Sequence, residues 1–331
     1  MILKAPFPWF GGKSRAAPIV WSAFGDVPNY IEPFFGSGAV LLGRPGGAGK
    51  TETVNDVDCY LANFWRAISA APSEVAAFTD WPVNETDMEA RHQWLVARAE
   101  FRRRMKCEPD YFDARIAGWW VWGLCGWIGP GWCSAYQDDD EGTAGMGVHR
   151  KLPHLGNAGR GVHRKLPHLG DAGRGVEIES SPTSATLVGA SIDAYFRRLA
   201  DRFRRVRVAC GDWSRVLGDS VTWRHGTTGI FLDPPYDDGA MTYSAGGSGV
   251  AAEVRAWCEE HGGDKRLRIA LCGYEGDPEP AGWRSVPWKA KGGYGSQRAD
   301  GSNENSKRER VWLSPHCIGG DASEPLFAGV K

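Results

Sequence analysis

Seven short apolar runs, most of them running into Gly, Asp or Pro, constrain this chain more than any other feature. They are Asn29 to Glu32, Thr53 to Asn55, Val206 to Cys210, Gly229 to Leu232, Arg268 to Cys272, Ser285 to Trp288 and Arg310 to Leu313. Runs this short, separated by helical or irregular stretches, suit strands buried on both faces of a mostly parallel α/β sheet. Between the second and third runs lies a long stretch of different character, with charged helix signals, then tryptophans and glycines, then a repeat. The expected division is therefore a first sheet half at 1–71, an inserted, mainly helical subdomain at 72–190, and a second sheet half at 191–331.

Inside the insert, Asp87 to Met105 places Met88, Trp94, Leu95 and Phe101 among charged residues, the pattern of an amphipathic helix. Ser191 is a candidate cap for a helix that buries Ile192, Tyr195, Phe196, Leu199, Phe203 and Val206, with Arg197, Arg198, Arg202, Arg204 and Arg205 largely on other faces. Five of the 16 tryptophans fall between Trp119 and Trp132. Indoles so concentrated read as core more readily than as a ligand platform. The segment 147–174 is a tandem duplication in which Gly147 to Arg160 recurs at Gly161 to Arg174 with Asp171 for Asn157. Its glycines and prolines suit a long surface loop. Arg150, Lys151, Arg164 and Lys165 make it a candidate arm for a phosphate backbone, and a solvated duplicated loop is the alternative. His149, His154, His163 and His168 lack companion cysteines, so no metal is expected.

With 39 Lys plus Arg against 40 Asp plus Glu, the formal charge is -1, so affinity for a polyanion must come from local patches. Eight cysteines without a C-x-x-C pair read as reduced thiols. The start of the chain lacks a leader pattern, and Gly118 to Trp132 is too short and glycine-broken to span a bilayer. A cytoplasmic protein with no membrane partner is expected.

The chemistry concentrates where strands end. Ile230-Phe231-Leu232 delivers Asp233-Pro234-Pro235-Tyr236 to the carboxyl edge of the sheet, where open α/β folds bind ligands. The two prolines stiffen the backbone and leave carbonyls as acceptors. An exocyclic amino group attacks poorly because its lone pair is delocalised into the base. The Asp233 carboxylate and the Pro234 carbonyl are two acceptors able to draw its hydrogens out, and Tyr236 can stack on a base extruded from a duplex. The set suits methylation of an aromatic amine; a plain strand-to-loop turn is the alternative.

Phe34, Gly36 and Gly38, in Glu32-Pro33-Phe34-Phe35-Gly36-Ser37-Gly38, follow the first strand as a backbone approaching a nucleoside would require, or form an ordinary turn. Asp56 falls 18 residues after Gly38, where a carboxylate for ribose hydroxyls is expected, and Asp58 is the candidate cap of the next helix. Trp9 and Lys13, in Pro8-Trp9-Phe10-Gly11-Gly12-Lys13, offer a ring for a cofactor and a cation for a carboxylate, or a surface turn. Asp212, in Cys210-Gly211-Asp212-Trp213, is a candidate acceptor for a cofactor's adenine or another helix cap.

In this order the motifs resemble those of the Dam-type adenine-N6 DNA methyltransferases: Trp9-x-Gly-Gly-Lys13, Glu32-Pro-Phe-x-Gly-x-Gly38, an acid after the second strand, an insert, then Asp233-Pro-Pro-Tyr236. The likeness covers about 4–70 and 192–315. It implies a Rossmann-like methyltransferase sheet of seven strands with a target-recognition domain inserted between cofactor and catalytic motifs. It further implies S-adenosyl-L-methionine as cofactor, double-stranded DNA as substrate in a bacterial or phage-infected cell, and action alone or beside a restriction endonuclease. Trp9, Lys13, Phe34, Gly36, Gly38, Asp56, Asp212 and Asp233 would hold the cofactor, and Asp233 to Tyr236 would carry catalysis. The insert departs from the family: Trp119 to Gly129 stands where Asn-Gly followed by Arg is usual. Cytosine-N4, an RNA base, and a DNA-binding regulator with a vestigial pocket are the alternative readings.

Overall fold

The computed structural model describes residues 3–7, 9, 12–127, 132–133, 187–235, 249–289 and 308–319. The strands are β1 (Asn29–Glu32), β2 (Thr51–Asp56), β3 (Val206–Cys210), β4 (Thr228–Leu232), β5 (Leu267–Tyr274), β6 (Arg284–Pro287) and β7 (Glu309–Leu313). They form one sheet in the order β3-β2-β1-β4-β5-β7-β6. The pairs β2/β3, β1/β2, β1/β4 and β4/β5 are parallel, whereas β7 runs antiparallel to both β5 and β6. All seven expected strands are present, each bound lying within two residues of its expected place. The expected mostly parallel, seven-stranded α/β sheet is thus what the chain forms.

Side chains alternate through the sheet, as period two requires. Ile31, Ile230, Leu232, Ile269 and Leu271 join Val254 and Cys258 of α9 (Val250–His261) in one core. Tyr30, Val54, Phe231 and Ala270 face the other, built with α1 (Ala17–Phe24), α2 (Ala39–Leu42), α3 (Cys59–Ala70) and α8 (Leu187–Phe203). Asp58 caps α3, accepting from the Tyr60 and Leu61 amides at 2.8 and 3.4 Å. The second core also takes in α4 (Pro72–Thr79), α5 (Glu85–Val96), α6 (Ala99–Cys107) and α7 (Ala114–Gly126) through Val75, Leu95, Phe101, Met105, Ile116 and Trp120.

Two expectations inside the insert change. The single helix over Asp87 to Met105 is broken between Val96 and Ala99 into α5 and α6. The break turns Phe101 onto Tyr60, with ring centroids 5.2 Å apart. The carbonyls it releases are satisfied, since the Tyr60 hydroxyl donates to Leu95 at 2.7 Å and Arg102 donates to Val96 at 3.2 Å. Helix α8 already begins at Leu187, so Ser191 lies within the helix and not at its N-cap position. Of the apolar stripe expected on this helix, Ile192, Tyr195, Phe196, Leu199 and Phe203 are buried, whereas Val206 lies beyond the helix end and opens β3 half-buried. Trp120 and Trp122 are core residues, and Trp119, Trp127 and Trp132 are half-buried. No cysteine is disulfide-bonded, and six of the eight are buried. Among the described residues no helix is long and apolar enough to cross a membrane.

Candidate active site

The chain runs outward from β1 to β2 and β3, then returns to place β4 on the other side of β1. A parallel sheet opens a crevice at such a reversal, outside the carboxyl ends of its two central strands. The chain leaves that edge after Glu32, Asp56, Cys210, Leu232 and Tyr274, and the first four of these loops bear on the crevice.

The loop after β1 is held by backbone geometry. Phe35 donates its amide to the Asn55 carbonyl at 3.0 Å, and the Asn55 amide group donates to Pro33 at 3.1 Å and Gly211 at 2.9 Å, tying together the ends of β1, β2 and β3. Gly36 and Gly38 have φ of 50° and 71°, a region that disfavours other residues. A Cβ on Gly36 would lie 2.6 Å from the Trp9 indole nitrogen, and one on Gly38 would lie 2.7 Å from the Phe35 ring. The glycines therefore admit the chain's own rings against the loop. Phe34 stacks with Trp213 across the loops after β1 and β3, with centroids 6.1 Å apart at 24°.

Asp56 clamps the same loop. Its Oδ2 accepts from the Gly36 amide at 3.1 Å and its Oδ1 from the Asp58 amide at 3.0 Å. Burial raises its pKa to about 7, against the opposing pull of the amide donors. Asp212 is exposed and caps a short 3-10 helix at Trp213–Val216, accepting from the Ser214 amide at 3.0 Å.

Across the crevice, Asp233 leaves β4 and meets Lys13, whose Nζ lies 2.9 Å from Oδ2 with side-chain exposures of 6% for the lysine and 20% for the aspartate. Burial pulls the ammonium toward neutrality, but Asp233, Cys272 and Glu309 outweigh it and hold Lys13 above the ordinary lysine value. The ammonium also lies 5.5 Å from the centre of a Trp288 ring. Pro234 is buried and Pro235 half-buried. Tyr236, and Arg150, Lys151, Arg164 and Lys165 of the duplicated segment, lie outside the described residues.

Residues 9–109 match the family model of the D12 class N6 adenine-specific DNA methyltransferases. The family points to methyl transfer to adenine N6 in DNA. The comparison with curated proteins found no match. The D12-class match takes in Trp9, Lys13, the Gly36 loop and Asp56, whereas Asp233 directly follows β4, beyond the matched segment. The sheet brings the two parts together, because β1 and β4 are hydrogen-bonded neighbours, Ile31 opposite Ile230.

Several residues at this crevice did not stand out in the sequence as site residues. Glu32 ends β1 fully buried and accepts from the Tyr30 hydroxyl at 2.8 Å. Burial drives its carboxyl well above the usual range, against the opposing Tyr30 hydrogen bond, and the nearby Asp233 adds to the rise. Its place in the Glu-Pro-Phe motif was the available signal. Glu309 on β7, Cys272 on β5 and Trp288 after β6 carry none, because only the pairing of those strands brings them toward Lys13. Among the described residues no group of three or more His, Cys, Asp or Glu gathers as a metal site would require.

Proposed function

We propose that the protein is a site-specific adenine-N6 DNA methyltransferase that uses S-adenosyl-L-methionine. One observation carries the reading: the parallel neighbours β1 and β4 set the glycine loop of the matched segment beside Asp233 at the sheet's reversal point. The donors at the crevice suit the cofactor. The Phe34 and Trp213 rings would flank its adenine with Asp212 nearby, Asp56 would accept from the ribose hydroxyls, and Trp9, Gly36 and Gly38 would shape the cradle. When bound, the cofactor supplies a methyl group on a sulfonium, an electrophile that needs no activation by the protein.

The remaining chemistry falls to this chain's own groups. Asp233 and the Pro234 carbonyl accept the hydrogens of the amino group of an adenine extruded from the duplex, which localises the nitrogen lone pair for attack. Tyr236 stacks on that base. Held in this way, the amino nitrogen would be free to take the methyl group that the cofactor supplies and to release its proton to solvent. Lys13 keeps Asp233 oriented and offers its charge to the cofactor's carboxylate. Residues 72–190, with the basic repeat, serve as the target-recognition region.

Purified protein incubated with methyl-labelled cofactor and duplex DNA is expected to yield N6-methyladenine on nucleoside analysis. Label in cytosine, or no label in DNA, would sink the reading.

Asp56 gives this function a pH signature. A carboxyl raised in the folded state favours folding below its unfolded value, and that contribution is lost as pH rises through about 7. Accepting from ribose hydroxyls is better done by the ionised form. Cofactor affinity measured calorimetrically is therefore expected to rise with pH below about 7, by at most roughly tenfold per unit, and to level off above it. Asp56→Asn should flatten the profile and weaken binding throughout, because its NH2 would face one of the two backbone amides. A flat wild-type profile would remove Asp56 from the ribose role.

A further inference from the structure

Five arginines between residues 72 and 126, Arg91, Arg98, Arg102, Arg104 and Arg115, lie over aromatic rings, and of these Arg98 and Arg115 are exposed. Trp119 of α7 is the centre of this face. Trp94 of α5 meets it edge-on at 5.0 Å, and Phe78 of α4 does so at 6.4 Å. Arg115 lies over both Trp119 and Phe78, at 5.6 and 5.5 Å. Arg98, in the break between α5 and α6, lies 3.8 Å from the Trp94 ring centre. The three rings are half-buried and both guanidinium groups are exposed.

Their neighbours set these two apart. Arg103 pairs with Glu100, Arg104 with Glu108, and Arg91 approaches Asp87 at 4.0 Å. Among the described residues Arg98 and Arg115 have no carboxylate partner, and their guanidinium groups contact only rings. The platform is braced from within: Arg91 is buried 4.1 Å from the Trp122 ring and 5.0 Å from that of Trp119. It is also joined to the candidate active site, because Trp120, the next residue of α7, packs on Phe7 at 5.3 Å and on Trp9 at 6.3 Å.

A planar guanidinium held on a ring keeps its edge donors free, and that edge matches a phosphate. A chain with a formal charge of -1 needs such local patches to hold a polyanion. We propose that Arg98 and Arg115, seated on Trp94, Trp119 and Phe78, grip the phosphodiester backbone of duplex DNA flanking the target base. This rests on the proposed activity and adds a contact surface separate from the basic repeat.

The test measures binding of the full-length protein to a fixed duplex by fluorescence anisotropy over a range of salt. Each phosphate contact contributes about 0.9 to the slope of log affinity against log salt, so Arg98→Ala/Arg115→Ala should flatten it by about 1.8. Affinity at low salt should fall roughly tenfold or more, from the same counterion release. Arg98→Lys/Arg115→Lys should restore the slope. The thermal midpoint and cofactor affinity of both variants should match the wild type, because the two side chains are exposed and away from the crevice. Wild-type affinity and slope in the alanine variant, with the wild type still methylating adenine, would overturn the grip and leave the activity standing. Loss of RNA binding with duplex binding intact would also overturn it. A wild type that binds no duplex would overturn both.

Discussion

Asp233→Ala is expected to lower single-turnover methyl transfer by about 10²–10³-fold, the scale on which removal of one preorganised hydrogen-bonding group acts at a reacting centre. The variant loses more than an acceptor, however. Lys13 is buried and ion-paired with this carboxylate at 2.9 Å, so alanine leaves an ammonium in the core without its strongest neighbour. Breaking a buried pair from one side typically costs about 3–5 kcal/mol, and partial exposure of Asp233 places the cost toward the lower end. An inactive Asp233→Ala protein would thus be ambiguous by itself. Lys13→Met/Asp233→Asn separates the two effects: removal of both charges should recover most of the urea midpoint while transfer stays abolished. A folded Asp233→Ala protein that transfers methyl groups at the wild-type rate would remove Asp233 from the chemistry.

What was legible in the sequence follows from how local each feature is. The seven strands could be read because a short apolar run, in five of them followed by Gly, Asp or Pro, is a local pattern, and the Asp58 cap because its amide partners lie two and three residues away. Gly36 and Gly38 were legible as special positions, but the rings that require them were not. Trp9 lies 27 residues before Gly36, and only the fold brings its indole there. The break between α5 and α6 was hidden for a similar reason. Its stabilising donors are Tyr60 and Arg102, and the former belongs to another helix. Glu32 and Glu309 were missed as site residues because a carboxylate's importance here depends on burial beside Lys13 and Asp233, which a strand pattern does not report. Arg202 was assigned largely to the outer faces of its helix with its arginine neighbours, whereas its guanidinium turns inward to a buried carboxylate.

That carboxylate, Glu52, is the site of the largest expected loss of stability. It is the second residue of β2, 1% exposed, and serves two arginines from different parts of the chain. Arg202 of α8 donates to both of its oxygens, at 2.6 and 3.0 Å, and Arg44 donates to Oε1 at 3.1 Å. The Gly49 amide adds a fourth bond at 3.0 Å. Arg44 is held further by the Val27 carbonyl at 2.6 Å and the Trp21 ring at 4.9 Å, and Arg202 by the Leu41 carbonyl at 3.2 Å. Glu52→Ala leaves two buried guanidinium groups facing a cavity, with only the exposed Asp26 near Arg44. Such a change should cost about 3–5 kcal/mol, visible as a lower urea midpoint at unchanged slope. Glu52→Gln keeps the shape but removes the charge, and so should recover only part of the loss. Replacing all three partners by methionine should recover more, because a well-packed apolar trio escapes the desolvation that the ions bear. If Glu52→Ala unfolds at the wild-type midpoint, the network does not join α8 to the sheet energetically, and the packing of Phe196, Leu199 and Phe203 must hold that helix by itself.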